Sequence, residues 1–453
     1  IGLPLKQLTT GDDHIFVSAD GDSGFTTIEE NRTANISNLI CHRTSSYITG
    51  WLHGRCVGAF LADTDTTDAA PGSNLIPASS ADFTSSSGWT LGTGWTISGG
   101  KLNKTTSDNT TSYYSFTGLT VGKAYTFSID VDTVGSGTLY FYALGYYTYW
   151  PTLTTTGTHS LTVVADATSL DFGITAISGN GAILDNASLT IGEADRSGNN
   201  EGLQVFGTIT KSAVATGAEL VGYSGWSTSN YLMRPYNDST EDPGSGDWSF
   251  IAWAKTSTQH TGILWSIRDP NNTNPFLQIW FDNTNGMAYG QNPGGYTATS
   301  ITYADNVWHC YVVTKRSGTI YLYQDGIQKG SVGANSDPGL LSTAQFRVGN
   351  HYNNLYPVQG SMALMRYSLS APTAEQIKKM YEDEKVLFQE NAKCTLYGSS
   401  NAVTALAYDE VTDRLHVGTA SGRSDFHGLR RINNTTTAVT TAISAHDEFI
   451  VEQ

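Results

Sequence analysis

Residues 124–132 read AYTFSIDVD, and that alternation decides the local geometry. Tyr125, Phe127, Ile129 and Val131 face one way, while Ala124, Thr126, Ser128 and Asp130 face the other. An extended strand satisfies a period of two, and a helix at 3.6 residues per turn does not. Similar apolar-alternating runs occur in TLYFYA (138–143), FLQIWFD (276–282), GTIYLYQDG (318–326) and AVTALAYDE (402–410). Asp325-Gly326 supplies the tight turn that lets one such run fold back on the next. One segment departs from the rule. In PTAEQIKKMYEDEK (372–385) Thr373 can cap a helix, Glu375 and Gln376 follow in the first turn, and Ile377, Met380 and Tyr381 share a face. The acidic run Glu382, Asp383, Glu384 on that helix reads as a solvated face. The class expected is all-β.

Composition narrows the setting. With 453 residues, 39% of them apolar, the chain can build several cores, roughly three at ~150 residues each. Forty-seven glycines, 24 tyrosines and only 15% charged residues fit a β-rich extracellular surface protein better than a helical cytosolic enzyme. A formal charge of −16 repels phosphate backbones and anionic membranes, which argues against nucleic acid as a partner. No apolar run reaches the ~18 residues of a bilayer span, so no membrane insertion is expected. Cys41, Cys56, Cys310 and Cys394 are too sparse for a disulfide framework and include no C-x-x-C pair.

Organisation comes from two near-rhyming phrases, DHIFVSADGDSGFTTIEENRT from Asp13 and DRLHVGTASGRSDFHGLRRINNT from Asp413. Val17 falls on Val417, Gly21 on Gly422, Phe25 on Phe426 and Ile28 on Leu429, each a strand, polar turn and strand. The turn DGDSG (20–24) has the alternating oxygens that open a calcium loop but lacks the closing glutamate, so it reads as a turn. A repeat split between the two ends implies a blade-like β platform with other modules inserted into a surface loop. Polar linkers at ADTDTTDAAPGSN and EADRSGNNEG divide the chain into 1–70, an N-terminal partial blade; 71–193; 194–390; and 391–453, a C-terminal partial blade.

Within 71–193, NLIPASSADFTSSSGWTLGTGWTISGGKL, FTGLTVGKAYTFSIDV and ILDNASL together resemble the galactose-binding-like β-sandwich of carbohydrate-binding modules. Within 194–390, GDWSFIAWAKTS, VWHCYVVTKRSGTIYLYQDG and YSLSAPTAEQI resemble a laminin-G-like or concanavalin-like lectin jelly roll. The resemblance implies two inserted β-sandwich modules flanked by partial β-propeller-like blades. It also implies sugar binding by aromatics on a concave face or on end loops. Calcium is common in both families, and Asp185 and Asp282 are the carboxylates named for it.

Sugar rings present C–H faces that stack on aromatics and hydroxyls that need amide or carboxylate partners. The densest aromatic cluster is Tyr146, Tyr147, Tyr149 and Trp150, interrupted by Gly145 and ended by Pro151, which suggests a loop. A second candidate is the loop GNHYNNLYP, with His351, Tyr352, Asn353, Asn354 and Tyr356. The paired strand carboxylates of concanavalin-like glycosidases do not occur, nor do G-x-S-x-G, a P-loop or H-E-x-x-H, so a binding protein is expected rather than an enzyme. The succession TKSAVATGAELVGYSGWSTSNYL followed by the laminin-G-like core, with flanks such as LAYDEVTDRLHVGT, resembles tail- or fibre-type structural proteins of bacteriophages. That resemblance implies a virion protein that engages a host cell-surface glycan and other virion proteins as a homo-oligomer. The alternatives are a secreted bacterial glycan-binding or glycan-degrading protein and a cellular adhesin or surface-filament subunit.

Overall fold

The computed structural model describes residues 15–19, 24–29, 41–143, 146–271, 275–293, 295–333 and 336–453. Among these residues nearly all regular structure is antiparallel strand, as the period-two runs require.

The largest core lies between two sheets built mainly from residues 203–368. One is eight-stranded and is centred on Ser361–Ser368, Trp248–Lys255, His309–Arg316 and Thr319–Gln324. The other runs through Leu203–Phe206, Tyr231–Pro235, Gln345–Val348, Gly262–Arg268, Phe276–Asp282, Gly286–Asn292 and Gly295–Thr299. Trp248, Phe250, Trp265, Phe281, Phe346 and Tyr367 fill the space between them and are fully buried. The Phe250 and Trp265 rings stack 5.3 Å apart across the sandwich. Burying each such side chain contributes about 1.5–3 kcal/mol, which makes this core the main stabilising element of the region. At the hairpin tip Gln324 pairs with Ile327, and Asp325 and Gly326 both take positive φ (53° and 75°), the two-residue turn that Asp-Gly favours.

The second sandwich sets the five-stranded sheet of Tyr146–Leu153, Thr138–Ala143, Ser169–Ile177, Thr110–Thr117 and Trp89–Thr90 against Gly157–Val164, Ala124–Thr133 and Ile183–Glu193. Phe127, Ile129 and Val131 enter its core as the alternation demands. Asp185-Asn186 lies inside the last strand, at a register break where Asn186 takes a φ of 49°.

Sheet membership crosses two boundaries drawn from the sequence. Cys56–Phe60, assigned to the N-terminal piece, pairs with Ser361–Ser368 and so extends the eight-stranded sheet. Ile183–Glu193 pairs through Gly192 and Glu193 with Leu203–Phe206, so one sheet runs from the first sandwich into the second. Linker composition marked where side chains change character. Backbone pairing ignores that signal.

The outer pieces form small sheets. Val403–Asp409, Arg414–Thr419, Gly422–His427 and Arg430–Asn434 make a four-stranded meander, and Ile15–Ala19, Phe25–Glu29 and Cys41–Arg43 a three-stranded one. Phe25 joins Leu396, Val403, Leu415, Val417 and Phe426 in one core, with Phe25 and Phe426 5.9 Å apart. The two phrases differ in register, since Val17 lies opposite Thr27 whereas Val417 lies opposite Ser424. Residues 20–23 of DGDSG lie outside the described residues.

The helix Ala374–Glu384 has the expected capping box, with Thr373 and Gln376 bonded reciprocally, and it buries Ile377 and Met380. The reading of its acidic run is corrected at one residue. Glu384 is fully buried because it lies seven residues after Ile377 and four after Met380, on the core-facing stripe. It forms an ion pair with Arg366, also fully buried, and accepts hydrogen bonds from Trp51 N (2.7 Å) and Trp253 Nε1 (2.6 Å).

Candidate ligand-binding face

The strand Phe276–Asp282 shows how a face is built. Leu277, Ile279 and Phe281 enter the core, so Phe276, Gln278 and Trp280 stand on the opposite, outer side of the sheet. Pairing carries that side across its neighbours. Gln278 lies opposite Ser266 and Gly290, Ser266 lies opposite Arg347, and Arg347 lies opposite Met233. Phe276 lies opposite Arg268, and Phe206 opposite Tyr231.

Gly290 leaves room for the rings beside it. A Cβ there would sit 3.0 Å from the Trp280 ring and 3.4 Å from that of Phe276. Both aromatics are half-buried and present a broad apolar surface. The Arg268 guanidinium lies 4.5 Å from the Phe276 ring centre and 4.6 Å from that of Tyr352, so two rings clamp it. Arg347 is held similarly, 4.5 Å over Tyr231, which itself stacks on Phe206 at 4.5 Å.

The loop predicted from GNHYNNLYP folds over this floor, and the structure brings its candidate residues together. Arg347 donates to Gln345 Oε1 (2.9 Å), Asn350 Oδ1 (3.2 Å), the His351 carbonyl (2.9 Å) and Asn354 Oδ1 (2.7 Å). Arg268 Nη1 donates to Gln278 Oε1 and His351 Nε2, both at 3.3 Å. His351 Nδ1 then donates to Asn353 Oδ1 at 2.6 Å, which specifies a neutral ring with its proton on Nδ1. Burial keeps the His351 pKa below its ordinary value, in agreement with that tautomer. Tyr352 and Tyr356 flank His351, with ring centres 4.3 and 5.8 Å away. Asn354 and Tyr356 take φ of 61° and 53°, a left-handed conformation that costs a side-chain-bearing residue about 1 kcal/mol or more. Asn353, Asn354 and Tyr356 are exposed at the rim.

Three polar atoms in this floor, Ser266 Oγ, Gln278 Nε2 and Arg268 Nε, are shielded from solvent and have no hydrogen-bond partner among the described residues. Each such group costs about 1–3 kcal/mol if left unmet. Arg268 and Arg347 are both held below the ordinary arginine pKa by burial, and no carboxylate opposes that effect at either.

Sequence reasoning named the loop and missed the floor. The signal lay in FLQIWFD, where an alternating strand places two aromatics and an amide on the side away from the core.

The other aromatic candidates are differently placed. Tyr146, Tyr147, Tyr149 and Trp150 do not form a loop; they belong to the strand Tyr146–Leu153 at the edge of the five-stranded sheet. Pro151 is compatible with that position because an edge strand has one unpaired side on which a missing N–H costs nothing. The side chains of those four residues lie outside the described residues. The register sets Tyr147 opposite Tyr142, Tyr142 opposite Gly173 and Gly173 opposite Tyr113, and the half-buried Tyr113 and Tyr142 rings lie 5.5 Å apart on the outer face.

The carboxylates named for calcium have other tasks. Asp185 is paired with Lys101, and Asp282 Oδ1 caps a turn by accepting from Thr284 N (2.9 Å) and Asn285 N (2.8 Å). Among the described residues no group of three or more histidine, cysteine or acidic side chains is arranged to hold a metal ion.

Residues 227–378 match the Concanavalin A-like lectin/glucanases superfamily, about a third of the chain. No curated protein matches the chain. Among solved structures, domain 4 of a GH43 extracellular arabinanase from Geobacillus stearothermophilus, in complex with arabinotriose, is 17% identical with a TM-score of 0.34, over 42% of this chain and 92% of that one. The binding domain of Paraclostridial Mosquitocidal Protein 1 is 13% identical with a TM-score of 0.35, over 50% of this chain and 61% of that one. The CBM40 of the Ruminococcus gnavus IT-sialidase is 13% identical with a TM-score of 0.27, over 30% and 84%.

Proposed function

We propose that this chain is an attachment protein that binds a glycan on the outer face of its lectin sheet. The observation that carries this reading is the pair of half-buried rings, Phe276 and Trp280, on the outer side of the sheet, beside Arg268 and the exposed amides of Asn353 and Asn354. A sugar supplies what both parts need: hydroxyls for the rim amides and a C–H face for the rings. The match of residues 227–378 to a lectin-type superfamily supports the same class of ligand.

In its finer form the reading is a tail- or fibre-type virion structural protein, homo-oligomeric, that engages host cell-surface glycans on one side and other virion proteins on the other. It acts by attachment without turnover. The sequence resemblance to bacteriophage fibre proteins supports the virion setting, and mass spectrometry of purified particles tests it. The binding claim is tested by applying the chain and a Trp280→Ala variant to immobilised host-cell glycans. Loss of one stacking ring lowers affinity about tenfold. Equal retention of the two proteins, with the fold intact by circular dichroism, would remove the face from consideration.

A further inference from the structure

Arginine is this protein's scarce resource in one respect. Four buried guanidinium groups meet carboxylates: Arg196 meets Asp63, Arg234 meets Glu201 and Glu241, Arg366 meets Glu384, and Arg431 meets Glu219, while the fully buried Arg43 lies over the Phe25 and Phe426 rings. On the outer face of the lectin sheet two arginines do not. Among the described residues every partner of Arg268 and Arg347 is a neutral oxygen, a neutral imidazole nitrogen or an aromatic ring. This occurs in a chain that carries 41 acidic against 25 basic residues, where carboxylates are the commoner partner.

The two groups are also close together. Arg268 lies opposite Gln345 and Arg347 opposite Ser266 on adjacent strands, so the arginines are diagonal neighbours, about 7–8 Å apart at Cα. Both reach His351, one at the ring nitrogen and one at the carbonyl. The aromatic clamps hold the guanidinium planes, so little rotamer entropy is lost when an anion docks. A net positive charge is therefore concentrated and preoriented next to the ring platform of Phe276 and Trp280.

We infer that this face selects acidic sugars: a saccharide residue stacks on Phe276 and Trp280 while its carboxylate or sulfate is received by Arg268, with Arg347 reinforcing the field. The inference rests on the glycan-binding reading and names the ligand's charge. A guanidinium fork matches a carboxylate or sulfate edge with two parallel hydrogen bonds.

The test applies the full 453-residue chain to immobilised oligosaccharides of matched length in three arms: neutral, uronic-acid-bearing and sulfated. Retention is expected at least about tenfold stronger in an acidic arm, the size of one charge-assisted contact. The arm that binds identifies the anion. Arg268→Gln is expected to abolish the preference and leave residual neutral binding, Arg268→Lys to restore part of it, and Trp280→Ala to reduce retention in every arm. Neutral and acidic sugars bound equally well would overturn the charge selection while leaving the glycan reading in place. Silence in all three arms overturns both. An acidic preference unchanged in Arg268→Gln overturns the assignment to this residue.

Discussion

Glu384→Gln is the substitution whose cost can be worked most directly. Four donors converge on the two Glu384 oxygens: both Arg366 Nη groups, Trp51 N and the Trp253 indole. Both members of the ion pair are fully buried. A glutamine keeps one acceptor oxygen, turns an NH2 toward two donors and leaves the guanidinium without its counter-charge. Removing one partner of a buried pair costs about 3–5 kcal/mol, a large share of the ~5–15 kcal/mol by which a domain is stable. The effect is read as a fall in urea midpoint followed by tryptophan fluorescence, for which Trp51 and Trp253 are local reporters. With a typical m value the fall is roughly 1 M or more. Arg366→Met alone should also destabilise, by leaving Glu384 charged and unpaired. The double variant Arg366→Met/Glu384→Gln should lose less than the two singles summed, with a coupling of about 2 kcal/mol or more. A cost below about 1 kcal/mol for Glu384→Gln would refute the view that this pair ties residues 49–51, the sheet and the terminal helix together.

Three further outcomes are expected. The Glu193 carboxyl is pushed up to about 7 by burial and by nearby Asp63, against an ordinary 4.5. A raised carboxyl contributes stability below its unfolded pKa and loses it as pH rises through the folded one, so the Glu193→Gln variant should gain on the parent between about pH 4.5 and 7 in denaturation midpoint. A constant difference across that window would show that Glu193 does not titrate there. Gly349 takes a φ of 92° and a Cβ there would lie 2.1 Å from Trp226, so Gly349→Ala should cost over about 1 kcal/mol by thermal denaturation. His309 is bracketed by Asp325 at 2.6 Å and Asp305 at 3.0 Å, and burial opposes while these two contacts raise its pKa above the usual histidine value. Stability from His309 should be full at acid pH and decline as pH rises through that raised value, and His309→Gln should flatten that decline in a pH series of melting curves.

Strand content was legible because alternation is a local property. Phe127, Ile129 and Val131 could face a core only if the chain was extended there, and Thr373 with Gln376 announced the helix Ala374–Glu384 through chemistry confined to a single turn. Pairing between distant strands left no such mark. Nothing in CVGAF shows that it pairs with Ser361–Ser368, and nothing in Gly192-Glu193 shows that Leu203–Phe206 continues its sheet. The site divided in the same way. GNHYNNLYP stood out because polar and aromatic residues cluster in sequence, whereas Ser266, Arg268, Gln278 and Arg347 are brought together only by register. Tyr146 to Trp150 misled because Gly145 and Pro151 are loop signals unless the strand lies at a sheet edge.

The passage of one sheet through both sandwiches bears on multivalent attachment. Modules joined by a flexible tether sample many relative poses, and each joint binding event must select one of them at an entropic cost. Here a ladder that includes Gly192 with Gln204 and Glu193 with Leu203 settles the relative pose when the chain folds. From Ile183–Glu193 to Gly262–Arg268 there are four strand steps, so the span is roughly 20 Å, set by interstrand spacing rather than by an average over a linker. On the attachment function proposed above, and with a ligand site on each sandwich, such a rigid gauge favours a surface whose repeat matches it, so that spacing as well as chemistry selects the surface.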